Sequence, residues 1–191
     1  VPVTTIVGIQ GKNWALLGAD TRISDEEKIY QMPKTIAKII EIEEGIFIAC
    51  AGDLRAINIL QGGMRINNQN LSMSNEHYLT NVFIPTLRKV FTNHGYERTQ
   101  EGVSSMESEF LLAYYGQLYA IGSDYSWIQD SRGLYGLGSG GSIALGALAA
   151  LVTPTPQRTM AKKMATQALD IACAYNADSA PPYTLKICEL Q

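Results

Sequence analysis

Thr4 and Thr5 open a run of hydroxyl and β-branched residues, and Asp20, Thr21 and Arg22 close or follow the next apolar run. A threonine hydroxyl is a weak nucleophile until a base takes its proton. A threonine at the very start of a chain solves this with its own α-amine. That amine has an ordinary pKa of roughly 7.7–8.0, is partly neutral near neutral pH and lies a few bonds from the hydroxyl. Val1-Pro2-Val3 precede Thr4 here, so the nitrogen as written is an amide and cannot act as the base. Residues 1–3 therefore read as a residual leader that has to be removed before such chemistry can run. Two other chemistries fit less well. Gly136-Leu137-Gly138-Ser139-Gly140-Gly141 satisfies GxGxxG, but it lies late in the chain, outside any strand-helix-strand unit, with no acidic residue about 20 positions on. His77 and His94 stand far from Thr4, Asp20 and Ser139 in sequence, which speaks against a Ser-His-Asp triad or a histidine metal site.

The elements that have to position these groups follow from the residue pattern. Residues 4–9 and 14–19 read as strands joined by turn chemistry at Gly11-Lys12-Asn13. This hairpin puts Thr4 at one strand end and Asp20 with Arg22 where the partner strand ends. Residues 28–32, 35–42 and 46–51 read as further strands, and these early strands imply one antiparallel sheet. Residues 54–66 and 75–93 read as helices, with Ser74 opening the second and Pro85 expected to kink it or end it early. Residues 95–105 read as a loop, and 109–115 and 117–122 as a second hairpin around Gly116. Short strands are expected near 127–129 and 134–137. Helices over 142–152 and 159–175 flank Thr153-Pro154-Thr155-Pro156, and 183–189 is a closing strand. Strands, two helices, strands, two helices and a strand bury best as two facing sheets with a helix pair outside each, a four-layer α+β sandwich.

Thr4-Thr5-Ile6-Val7-Gly8 followed by Gly18-Ala19-Asp20-Thr21-Arg22 resembles the start of a mature proteasome β-type subunit, in the N-terminal nucleophile hydrolase superfamily that includes the bacterial HslV peptidase. The resemblance continues through Lys38-Ile39-Ile40-Glu41-Ile42, Ala49-Cys50-Ala51-Gly52-Asp53, Gly138-Ser139-Gly140-Gly141, Ala168-Leu169-Asp170-Ile171-Ala172 and Asp178-Ser179, and spans residues 4–190. It implies the αββα fold and a single domain over residues 4–191. It also implies a threonine peptidase in which Thr4 attacks, Asp20 and Lys38 set the electrostatics, and Ser139 and Asp178 hold the amine. Lys34 competes with Lys38 for the lysine's role. Thr21, Arg22, Phe47 and Ala49 are implied to bind substrate, Ala49 N–H receiving the oxyanion and Phe47 walling the pocket for the residue before the scissile bond. The family assembles as closed rings of like subunits, often fed by an ATP-driven unfoldase, so a homo-oligomeric ring acting on peptides or unfolded proteins is expected, with no cofactor and no metal. Against this stand Val3 where active members carry a glycine, Ala49 where they carry another, and Pro181 where a hydroxyl is common. These departures favour the alternative, a silent structural or assembly subunit that keeps its leader.

Composition limits the other classes. The 191 residues are 46% apolar and 17% charged, with a net charge of −3, which suits one globular domain and, without a Lys/Arg run, argues against nucleic acid. The longest apolar run, residues 143–152, is far short of the roughly 20 needed to span a bilayer, and no basic-then-apolar leader opens the chain, so a cytoplasmic protein is expected. Cys50, Cys173 and Cys188, odd in number and without a CxxC pair, read as structural thiols.

Overall fold

The computed structural model describes residues 4–24, 28–33, 36–66, 73–100, 102–153 and 156–190. Its first elements are β1 (Ile6–Gln10), β2 (Trp14–Asp20), β3 (Arg22–Ser24), β4 (Ile29–Gln31), β5 (Ile39–Glu43), β6 (Ile46–Gly52) and α1 (Leu54–Gly63). α2 (Asn75–Tyr78) and α3 (Ile84–Asn93) are joined without a break by a π-helical turn, Leu79–Phe83. β7 (Arg98–Gln100), β8 (Val103–Ser105), β9 (Ser108–Tyr114), β10 (Gln117–Ile121), β11 (Trp127–Ile128) and β12 (Leu134–Leu137) follow, then α4 (Gly141–Leu151), α5 (Arg158–Tyr175) and β13 (Tyr183–Glu189).

The early strands do not share one sheet. β1 and β2 belong to a four-stranded sheet ordered β12-β1-β2-β13, whereas β5 and β6 belong to a five-stranded sheet ordered β11-β10-β9-β6-β5, and β3 pairs with β4 in a separate ribbon. The reason is the alternation along each strand, because successive side chains leave opposite faces and here both faces are covered. Ile6 packs between the sheets while Val7 and Ile9 face α4 and α5; Phe47, Ala49 and Ala51 pack between the sheets while Ile46, Ile48 and Cys50 face α1 and α3. Three apolar layers result, and they are the interior of a four-layer αββα sandwich.

Two local expectations are corrected. Pro85 does not end its helix. It cannot donate to the carbonyl four residues back, and the wider π-turn immediately before α3 absorbs that mismatch, with the Thr86 hydroxyl donating to Val82 O at 2.7 Å. Residues 95–105 are not a plain loop, since β7 and β8 pair there as a two-stranded ribbon; it is short and polar, which hid it from the apolar pattern. Among the described residues, no helix is long and apolar enough to cross a membrane.

Candidate active site

The first hairpin carries Thr4 to the end of the four-stranded sheet beside the last residue of β2. Thr5 N–H donates to Asp20 Oδ1 at 2.9 Å, Asp20 N–H to Thr5 O at 3.2 Å and Arg22 N–H to Asp20 Oδ2 at 3.1 Å. The third contact on this carboxylate crosses to the other sheet, where Lys38, immediately before β5, places Nζ 2.8 Å from Asp20 Oδ1. Both side chains are fully buried. Burial pushes the Lys38 ammonium below its usual range and the Asp20 charge works against that shift. Thr4 is itself only 3% exposed. It lines a cleft of about 150 Å³ together with Lys38, Gly52, Ile23, Ser24, Leu54 and Ile57. Lys34, the competing lysine, lies outside the described residues.

The turn before α4 closes the other side of Thr4. Thr4 N–H donates to Ser139 Oγ at 3.4 Å, and the Ser139 hydroxyl donates to Thr4 O at 3.4 Å. Gly138 makes this approach possible: its φ is +82°, and a Cβ there would sit 2.2 Å from Thr4 O.

Three of the expected residues land elsewhere. Ala49 has its methyl in the layer between the sheets, so it does not narrow the cleft. Its N–H also faces away: Cys50 N–H donates to Lys38 O at 2.9 Å, and because donors alternate along an antiparallel strand, Ala49 N–H turns to β9. The same alternation turns Gly52 N–H to the side where Lys38 and Thr4 lie. Gly52, three residues after Ala49, is thus the strand residue whose N–H turns toward the cleft. Phe47 is likewise packed between the sheets, with Lys186 Nζ 5.6 Å from its ring centre, and does not wall the cleft at Thr4. The third correction is Asp178. The side chain that reaches Ser139 is Asn176, whose Nδ2 donates to Ser139 Oγ at 3.0 Å while its Oδ1 accepts from Asp178 N–H at 3.0 Å.

Thr21 and Arg22 hold the loop that carries Asn176. Thr21 Oγ1 donates to Pro182 O at 2.7 Å and accepts from Gln31 Nε2, and Arg22 Nη1 donates to Ala177 O at 2.9 Å. Ser179 Oγ meets Thr5 Oγ1 at 2.6 Å. Cys50 and Cys188 are buried and Cys173 half-buried, and burial pushes the Cys50 thiol up to about 12. Among the described residues, no group of three or more His, Cys, Asp and Glu is placed to hold a metal ion.

Gly52 carries the first mutational prediction. Its φ is +141°, and an added Cβ would meet Ser108 Oγ at 2.4 Å and Glu107 O at 2.7 Å. Gly52→Ala is expected to destabilise the fold by about 2–3 kcal/mol through backbone strain and overpacking, read as a fall in thermal midpoint. A midpoint equal to that of the parent would show that this strand end is not held as described.

The model of the Proteasome subunit family matches residues 3–188. This chain belongs to the proteasome subunit family. The BPH protein of Thiobacillus denitrificans, solved in complex with epoxomicin, superposes with a TM-score of 0.75 at 18% identity, over 98% of this chain and all of that one. HslV of Trypanosoma brucei superposes with a TM-score of 0.66 at 18% identity, over 97% of this chain and 99% of that one. Anbu, an ancestral β-subunit from Yersinia bercovieri, does so with a TM-score of 0.70 at 14% identity, over 97% and 82%. No curated protein matches. At these identities the structural likeness establishes the N-terminal nucleophile hydrolase fold, and the chemistry is argued from the residues.

Proposed function

We propose that this proteasome-family subunit hydrolyses peptide bonds with Thr4, once cleavage ahead of Thr4 has freed its amine. The observation that carries the reading is the buried Asp20–Lys38 pair, 2.8 Å apart, on one side of Thr4 with Ser139 Oγ 3.4 Å from its nitrogen on the other. The freed amine takes the hydroxyl proton as Thr4 Oγ bonds to the peptide carbonyl carbon. Lys38 stabilises the developing alkoxide and Gly52 N–H receives the oxyanion. Collapse of the tetrahedral species breaks the C–N bond, and the amine returns the proton to the leaving nitrogen. Water then cleaves the resulting Thr4 ester, releasing the acid and restoring the hydroxyl. In this reading the subunits form a closed ring in the cytoplasm and act on peptides or unfolded proteins delivered by an ATP-driven unfoldase; closed symmetry is the usual outcome for like subunits.

Epoxomicin, with which the Thiobacillus protein was solved, is the probe. Intact mass after expression should correspond to a chain beginning at Thr4, and incubation with epoxomicin should add mass to the peptide that starts there. The second reading, a silent assembly subunit, is favoured by one observation: an amide, Asn176, stands on Ser139 where a carboxylate would have steadied an ammonium. A mass that retains Val1-Pro2-Val3, with no adduct, would decide for it.

Asn176 also gives a pH prediction. The base works only when unprotonated, so activity rises with pH through the pKa of the amine. The buried Asp20–Lys38 pair stands on one side of Thr4, and the Asn176 amide on Ser139 carries no charge. Asn176→Asp places a carboxylate on Ser139, favours the ammonium and raises the amine pKa. The acidic limb of kcat/KM is expected to move up by about half to one pH unit, a shift worth roughly 1 kcal/mol. A limb that stays in place would mean that Asn176 does not act on the amine.

A further inference from the structure

We infer that the cleft at Thr4 selects a medium-sized aliphatic side chain immediately before the scissile bond and rejects basic, acidic and large aromatic ones. The inference rests on the peptidase reading above and adds the class of substrate.

Its direction comes from proton bookkeeping. The amine that receives the hydroxyl proton has to return it to the leaving nitrogen, so the leaving segment departs on the Thr4 N and Ser139 side. The acyl segment then lies on the opposite side, with its carbonyl oxygen toward Gly52 N–H. On that side the space next to Thr4 is the 150 Å³ cleft, and the side chain of the residue carrying the attacked carbonyl has to enter it.

The walls decide what fits. Ile23 from β3 and Leu54 and Ile57 from α1 supply an apolar surface, and Ser24 and Gly52 complete it. Ile57 belongs to the core behind α1 and is almost wholly buried, so this wall cannot retreat; Leu54 is 39% exposed and forms the rim. A cavity of about this volume lined by aliphatic side chains holds one benzene-sized molecule, which suits valine, leucine, isoleucine or methionine and is too small for tryptophan. None of the described residues that line the cleft carries a carboxylate, and the one cation on it is Lys38, bonded to Asp20. An arginine or lysine side chain would lose its hydration, find no carboxylate among the described residues that line the cleft and meet a like charge. A glutamate would have to compete with Asp20 for an ammonium that is already paired and fully buried.

The test uses protein with a free Thr4 and a set of peptides that differ only in the residue before a fluorogenic leaving amine: Val, Leu, Trp, Arg and Glu. Leu and Val are expected to exceed Trp by at least about 10-fold in kcat/KM, the scale on which an apolar pocket discriminates by size, and to exceed Arg and Glu by about 100-fold. Leu54→Glu, at an exposed position in the first turn of α1 where a carboxylate is tolerated, is expected to reverse the Leu:Arg ratio. Turnover that favours Arg, Glu or Trp, or an unchanged Leu:Arg ratio in Leu54→Glu, overturns this assignment and leaves the peptidase reading standing. A protein that cleaves none of the set and takes up no electrophile at Thr4 overturns both.

Discussion

Thr4→Ala is expected to abolish peptide hydrolysis, lowering kcat by at least about 10⁴-fold, with a thermal midpoint close to that of the parent. Removal of a nucleophile that works as a unit with its base leaves only the residual catalysis of the surrounding site. The alanine keeps the backbone, the α-amine and the Thr4 N–H to Ser139 contact and deletes only the hydroxyl and one methyl. Thr4→Ser is the companion variant, because it keeps the hydroxyl; it should retain measurable turnover, and any activity that survives in Thr4→Ala would assign the reaction to another group. Epoxomicin should leave the Thr4→Ala protein unchanged in mass.

The Asp20–Lys38 pair should produce the largest loss of stability of any single change at the site. Lys38→Ala strands the Asp20 carboxylate in a fully buried position, a loss of about 3–5 kcal/mol. In a domain of this size that lowers the thermal midpoint by roughly 6–20 °C. Activity should fall with it, because the alkoxide then has no cation beside it. Asp20→Asn combined with Lys38→Met removes both charges at similar volume and should recover most of the stability and none of the activity, which separates the two roles of the pair. A Lys38→Ala protein less than 1 kcal/mol weaker than the parent would mean that water reaches Asp20. The lysine also contributes to the pH dependence of folding. Burial lowers its pKa from 10.5, so as pH rises the folded chain releases this proton before the unfolded chain does. Its contribution therefore makes stability increase with pH from the folded pKa up to 10.5.

Much of the layer order was legible in the sequence, and the reason is local. Turn chemistry at residues 11–13 and the apolar runs on either side define the hairpin that joins Thr4 to Asp20, and the isoleucines after Lys38 read as a strand wherever that strand pairs. What the sequence hid was pairing between distant strands. Nothing in the first fifty residues says that β5 and β6 leave the sheet of β1 and β2, because β1, β2 and β6 are all buried along nearly their whole length. The same blindness misplaced the proposed oxyanion donor. Ala49 and Gly52 sit in one apolar strand, and only the register against Lys38 tells which N–H faces the cleft; the glycine at the strand end, followed by the capping residue Asp53, was the available signal. Asn176 was overlooked in favour of Asp178 because a carboxylate suits an amine better than an amide does. The turn that lets Asn176 Oδ1 bond Asp178 N–H is what points its other end at Ser139.

In the proposed mechanism the reacting groups come from both sheets: Thr4 lies just ahead of β1 and Asp20 ends β2, while Lys38 lies just ahead of β5 and Gly52 ends β6. In that mechanism catalysis would act as a vernier, reading the alignment of two stacked scales that the Asp20–Lys38 bond ties together at the site. A slip of about an ångström between the scales costs about a hundredfold in rate while leaving every reacting side chain chemically intact. Leu111 and Leu118, packed between the sheets at a distance from the cleft in sequence, are thereby part of the calibration, and trimming either would register first as a loss of turnover in a protein that is still folded.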